Sequence, residues 1–96
     1  SEVGAATVEA ATRCLRDDDY RVRRNAAMAL RHAPEPGPET VTALAQMLED
    51  ENRYNRFYAV DGLRRLAPAS PEAETLLMDH LITSRWCPLT NTDSRY

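Results

Sequence analysis

Apolar and small residues recur at i, i+3, i+4 and i+7 in two stretches of the chain: Val8, Ala11, Thr12 and Leu15, then Val41, Leu44, Ala45 and Leu48. That spacing lines one face of an α-helix, so each stretch predicts an amphipathic helix. Leu77, Met78 and Leu81 continue the register into a third. A second helical pattern follows each of the first two. Its inward set is expected to be Val22, Ala26, Ala29, Leu30 and Ala33 in one case, and Asn55, Ala59, Gly62, Leu63 and Leu66 in the other. The small residues Ala26, Ala29, Ala59 and Gly62 would let neighbouring helices approach closely. No stretch alternates with period two, so the chain reads as all-α.

The two patterns are one pattern written twice. "CLRDDDYRVRRNAAMALRHA" (14–33) overlays "MLEDENRYNRFYAVDGLRRL" (47–66) at an offset of 33, placing Leu15 on Leu48, Asp17 on Asp50, Arg23 on Arg56, Ala26 on Ala59 and Leu30 on Leu63. A fixed period of this size is the signature of stacked helical hairpins, each too small to bury its apolar face alone. Proline marks the joins: Pro34, Pro36 and Pro38 between copies one and two, Pro68 and Pro71 between two and three. Ser70-Pro71-Glu72 reads as N-cap, N1 and N2 of the last helix. The copies are therefore set at about 3–33 and 38–67, with a partial copy at 71–83 and a tail at 84–96 in one domain.

The order Leu-x-Asp, Val-Arg, Ala-Ala and Ala-Leu in "LRDDDYRVRRNAAMALRHA" resembles the HEAT-like repeat family, in particular the short repeats of phycobilisome lyase proteins. "LEDENRYNRFYAVDGLRRLA" keeps Leu48, Asp50, Arg56, Ala59 and Leu63 but has Asn55 for the expected Val and Gly62 for Ala. The resemblance covers residues 3–83. It implies a short right-handed α-solenoid of about two and a half HEAT-like hairpins with an irregular C-terminal tail. It also implies that Asp17 and Asp50 pair with the second-helix arginine of a neighbouring copy, Arg23 or Arg56, which keeps those arginines out of the binding set. The third copy has no second helix, so either the tail with Trp86 as a plug or another chain must cover the open end.

Charge sharpens this picture. The formal charge is −3, yet residues 20–33 carry +4 and residues 53–67 carry +3, leaving −10 for everything else. All twelve cations are arginine, a usage that a GC-rich genome or selection for forked, planar donors would each produce. Cys14 and Cys87 are too few for a disulfide framework and fit a reducing, cytoplasmic setting. No run of about 18 apolar residues predicts a membrane span. The first residues lack the basic, apolar, small order of a secretory leader, and the absence of Met at position 1 fits a piece of a longer chain.

Candidate chemistry is sparse. The acid runs "DDD" (17–19) and "EDE" (49–51) lack the alternating ligands and central Gly of a calcium loop. They are expected to cap helices and stabilise their dipoles. His32 and His80 lie in different copies, neither at ligand spacing from a second donor, and His32 is expected to face solvent near a helix C-terminus. Cys14 is expected to be a small buried hydrophobe, and Cys87-Pro88 part of a structural tail. There is no H-x-x-x-H, C-x-x-C or glycine-rich phosphate loop, so no catalytic residue, metal ligand or cofactor is assigned.

Removing the core positions from the second helices leaves Arg21, Arg24, Asn25, Met28, Arg31 and His32 on one outward stripe. Tyr54, Phe57, Tyr58, Asp61, Arg64 and Arg65 form the other. In the resembling family these helices line the inner, concave side. The stripes would thus give a basic ridge beside an aromatic one, built of the residue types that dominate interface energetics. Arg24, Arg31, Tyr54, Phe57, Tyr58, Arg64, Arg65 and Trp86 are the expected partner-binding residues, unless the rings meet the returning tail instead. The leading expectation is a non-catalytic adaptor for an acidic protein surface. Self-association through the unfinished end is the second kind of partner. The resemblance alternatively implies a role in attaching or detaching bilin chromophores on phycobiliproteins, a lyase-like activity with bilin as ligand. Nucleic-acid binding ranks last, because the ridge is set in acidic surroundings and lysine is absent.

Overall fold

The computed structural model describes residues 2–32 and 37–84. Its helices are α1 (Glu2–Cys14), α2 (Tyr20–Leu30), α3 (Pro38–Met47), α4 (Arg53–Leu66) and α5 (Pro71–Thr83), with a 3₁₀ turn at Ala67–Ala69. No strand occurs among the described residues. First helices α1, α3 and α5 pack in succession, α2 packs on α4, and each hairpin closes on itself. Two short copies and a half are thereby stacked in two layers, as the 33-residue period predicts.

The helix starts follow from short polar side chains. Asp19 caps α2 by accepting from the Arg21 amide, and Asn52, its counterpart 33 residues on, caps α4 by accepting from the Tyr54 and Asn55 amides. Ser70 caps α5 through the Ala73 amide. Pro38 and Pro71 occupy the first turns of α3 and α5, where the missing N–H is no loss. Caps such as Asn52 and Ser70 each contribute about 1 kcal/mol. The acid run "DDD" is thus a capping device, as expected, whereas in "EDE" the cap falls to the following asparagine.

The core runs through both layers and centres on α3, whose Thr40, Val41, Ala43, Leu44 and Met47 are all buried. Leu44 and Leu63 have no exposed surface, and Leu15, Leu30, Leu48 and Leu66 surround them. One polar pair sits in this core. Thr12 Oγ1 donates to the Val8 carbonyl at 2.8 Å, so the 2.7 Å contact between the two hydroxyls must have Thr40 as donor and Thr12 as acceptor. The pair ties α1 to α3 with its donors satisfied. Asn55, standing where the first copy has Val22, is fully buried and donates from Nδ2 to the Tyr20 carbonyl at 3.1 Å, tying α4 to the start of α2. Cys14 is half-buried against the core.

Two expectations need correction. Ala29 is exposed, and α2 buries Ala27 instead. Its counterpart Gly62 is covered by Leu44, whereas the residue at that place in the first copy is the smaller Ala11. In α5 the core residues are Ala73 and His80 with Leu76 and Leu77 beside them, while Met78 is 52% and Leu81 37% exposed. The buried arc is the one facing α3 and α4, because no second helix of a third hairpin is described to cover the other. Ala33, Pro34, Pro36, Trp86, Cys87 and Pro88 lie outside the described residues.

Gly62 is buried beneath Leu44, where a small residue was expected. A Cβ built there would stand 3.5 Å from both methyl carbons of Leu44, an ordinary contact, so close approach does not require glycine. Mid-helix glycine costs about 0.5–1 kcal/mol relative to alanine. Gly62→Ala is therefore expected to stabilise the domain by about that amount in urea unfolding. A loss of stability would show that the α3–α4 gap is tighter than this geometry.

Candidate functional site

The outward stripe of α4 is built by its own periodicity, since Phe57 follows Tyr54 by three residues, Asp61 follows Phe57 by four, and Arg64 and Arg65 follow Asp61 by three and four. Tyr54 and Phe57 are each 62% exposed. The Arg53 guanidinium lies over the Tyr54 ring at 5.4 Å, and Phe57 meets Tyr58 edge to face at 5.7 Å and 72°. Tyr20, at the start of α2, is also exposed, with Arg21 over its ring at 6.0 Å.

One turn beyond Phe57 the stripe changes character. Asp61 lies on the same face yet is 7% exposed, and three guanidinium groups close on it. Arg64 Nη2 donates to Oδ1 at 3.0 Å, Arg65 Nε to Oδ2 at 3.1 Å, and Arg31 Nη1, from the end of α2, to Oδ2 at 3.4 Å. Burial pushes the Asp61 carboxyl up, but the hydrogen bonds and charges of Arg64 and Arg65 outweigh it and hold the group below its ordinary 3.8. Arg31 Nε also reaches His32 Nε2 at 3.2 Å on the exposed surface.

Of the residues expected to bind a partner, Arg31, Arg64 and Arg65 are thus brought together, and Tyr54, Phe57 and Tyr58 form a separate cluster on the same helix. Arg24 is half-buried on α2 and joins neither, and Trp86 is outside the described residues. The basic and aromatic surfaces divide along α4 rather than between the two second helices. Asp61 was expected to be one more outward residue, and instead organises the arginines. Its pairs with Arg64 and Arg65 sit at i+3 and i+4 and were legible in the spacing; its link to Arg31 was not, because that depends on how α2 lies against α4. Arg53, on the Tyr54 ring, was also missed, although adjacency to an exposed aromatic was a signal.

Two further arginines of the second helices, Arg23 and Arg56, are structural. Arg23 forks onto Asp50 of the next copy at 2.8 Å (Nε to Oδ2) and 3.3 Å (Nη2 to Oδ1). Its Nη1 donates to the carbonyls of Asp17 and Asp18 at 2.7 and 3.0 Å. Arg56 is 2% exposed, and its Nη1 donates to the carbonyls of Asp50 and Glu51 in its own copy. The expected Asp–Arg pairing across copies is therefore Asp50 with Arg23. Asp17 uses its carboxylate on the Asp19 amide, and position 83, where the next acid would fall, is Thr83.

Two open depressions flank the first-helix layer. One, of about 360 Å³, lies between α1 and α3, lined by Val8, Glu9, Thr12, Pro38, Glu39 and Thr40. The other, of about 170 Å³, lies between α3 and α5 beside Leu48, Glu49, Leu76, Asp79 and His80. Among the described residues no group of histidine, cysteine and carboxylate side chains could hold a metal ion. No described helix is long and apolar enough to cross a membrane.

His80 Nδ1 faces Glu49 Oε1 at 3.5 Å. Burial lowers its pKa from the ordinary 6.5, and Arg56 adds to this, against the opposing pull of Glu49. A histidine held neutral in the fold gives stability that is complete above 6.5 and is lost as pH falls through the lower folded value. The urea midpoint is therefore expected to drop between about pH 7.5 and pH 5.5. His80→Gln should flatten that slope, and an undiminished slope in the variant would remove His80 as its cause.

A family model described as HEAT repeats matches residues 5–86 of the 96. Neither a curated protein nor a solved structure matches the chain.

Proposed function

This chain belongs to the HEAT-repeat family, and from that premise we propose that it works as a non-catalytic protein-interaction module whose outward α2–α4 face receives the partner. HEAT repeats generally mediate protein–protein interaction. The observation that carries the reading is the composition of the α4 stripe. Two aromatic rings, each 62% exposed, stand about two to three turns along α4 from Arg64 and Arg65, which cluster with Arg31. Exposed Tyr, Phe and Arg on one rigid helix face are the side chains that most often anchor interfaces, and their helix is fixed by core residues with no exposure. The guanidinium excess favours a partner surface that is acidic.

The test uses a photo-crosslinking residue at Phe57, and separately at Gln46 on the exposed side of α3, in the cells that make the protein. A discrete protein adduct is expected from position 57 and not from 46. Charge reversal by Arg64→Glu with Arg65→Glu should abolish it while the helical circular dichroism stays unchanged. Equal labelling from both positions, or capture indifferent to the charge reversal, removes the α4 face from the interaction.

A further inference from the structure

From the Asp61 cluster we infer that this face is a receptor for a phosphorylated segment of the partner, with the phosphate monoester held by Arg31, Arg64 and Arg65 and an apolar side chain held at Phe57. The inference rests on the protein-binding reading and adds the chemistry of the partner to it.

Three guanidiniums from two helices lie within 3.0–3.4 Å of the oxygens of one carboxylate. Their forks are already gathered to the dimensions of a single oxyanion. One aspartate cancels one of three positive charges, which leaves an excess of two. Each guanidinium has five N–H donors in a fixed fork. Asp61 engages one nitrogen of each, and His32 a second of Arg31. The side chains of Arg31, Arg64 and Arg65 are 31%, 69% and 46% exposed, so donors remain open to solvent. Stabilising the C-terminal turns of α2 and α4 calls for a cation near each helix end, and pairing Asp61 calls for one. Neither calls for three guanidiniums crowded around one acid, an arrangement whose mutual repulsion a bound anion relieves.

The charge excess selects the anion. A phosphate monoester carries about −1.5 to −2 at neutral pH and offers three acceptor oxygens, which suits two uncancelled guanidinium charges and several forked donors. A lone Asp or Glu carboxylate offers half the charge and two oxygens. A nucleic-acid diester carries one charge per phosphate and gains its affinity from many phosphates in a row. Here the arginines converge on a point. Because Asp61 holds the arginines in the free protein, a ligand loses little affinity to ordering long side chains.

The helix also sets the spacing. Phe57 and Arg64 are seven residues apart on α4, about 10 Å at 1.5 Å per residue. An extended peptide covers that distance in about three residues. The preferred segment therefore has its phosphoserine or phosphothreonine about three positions from an apolar or aromatic residue.

The experiment titrates the whole chain, followed by the arginine Nε–H resonances, with three end-blocked tetrapeptides at constant ionic strength. They are Phe-Ala-Ala-phosphoserine, Phe-Ala-Ala-Ser and Phe-Ala-Ala-Asp. The phosphorylated peptide is expected to shift the Arg65 and Arg64 signals saturably and to bind at least about tenfold tighter than the serine form, with the aspartate form between. Arg64→Gln with Arg65→Gln should erase that ratio while the amide spectrum stays folded. Phe57→Ala should weaken all three peptides and leave the ratio intact. A ratio near one, a ratio that survives the arginine changes, or no saturable shift with the phosphopeptide overturns the inference. So does an oligothymidylate of matched charge that binds more tightly than the phosphopeptide. A partner crosslinked at position 57 that still binds after phosphatase treatment would sink this inference alone, whereas failure of the crosslinking itself would count against the interaction reading.

Discussion

Leu44→Ala is expected to cost the domain about 3–5 kcal/mol, the largest effect of any single side chain considered. Leu44 is fully buried on α3, the helix that packs on α1, α4 and α5, and its methyl carbons fill the space beside Gly62. Truncation therefore opens a cavity at the point where both layers and both full hairpins meet. The neighbours are poorly placed to collapse into it, since Gly62 has no side chain to offer. Natural domains of this size hold about 5–14 kcal/mol in total, so the variant would keep little margin. Its thermal midpoint should fall by about 15 °C or more. Ile82→Ala, at a residue 63% exposed on α5, is the matched control and should stay within about 0.5 kcal/mol. Comparable losses from both would show that the core is not centred on α3.

The second large effect is expected at Arg23. Its guanidinium forks onto an acid of the next copy, Asp50, whose side chain is only 7% exposed. Arg23→Ala takes the countercharge from that carboxylate, which keeps the Asn52 amide as a donor, and removes a donor from the Asp17 and Asp18 carbonyls. Loss of one member of a buried pair costs about 3–5 kcal/mol, and the 21% exposure of Arg23 brings the expectation to about 2–4 kcal/mol. Arg23→Lys should recover only part of this. A compact ammonium cannot span both Asp50 oxygens and still reach two carbonyls on the facing turn. The check is a double-mutant cycle with Asp50→Asn, in which a coupling of at least about 1 kcal/mol is expected. Strict additivity would mean that the Arg23–Asp50 contact does nothing to hold the copies together.

Both effects concern how the copies are joined, and that is where sequence and structure part. The period of 33, the helix positions, the caps Asp19 and Ser70 and the buried Leu30, Leu44 and Leu63 are all visible along the chain. Each depends on neighbours within about four residues, and helix geometry makes those neighbours predictable. The exchange of Ala29 for Ala27 in the core was not visible. Both are small and helix-favouring, and burial was decided by which flank of α2 another helix covers. Nor was the shift of α5, where Met78 and Leu81 continue the apolar spacing but the described packing presents another arc to α3 and α4.

The same division runs through the candidate site. Local spacing was enough to put Tyr54, Phe57, Arg64 and Arg65 on one face of one helix, and to mark the second helices as basic in an acidic chain. Spacing by itself could not sort structural arginines from available ones; only the family resemblance set Arg23 and Arg56 apart. Arg23 and Arg24 are adjacent in the chain, yet only Arg23 reaches Asp50, because that acid arrives on the next copy. Only the stacked helices bring Arg31, 30 residues from Asp61 in the chain, to the acid that Arg64 and Arg65 already hold. The sequence by itself determined the repeat, its helices and the face that carries charge and rings, because those are short-range consequences of helical periodicity. The tertiary structure alone decided which charges cancel and which remain in excess, because Coulomb interactions and hydrogen bonds depend on distance in space and take no account of distance along the chain.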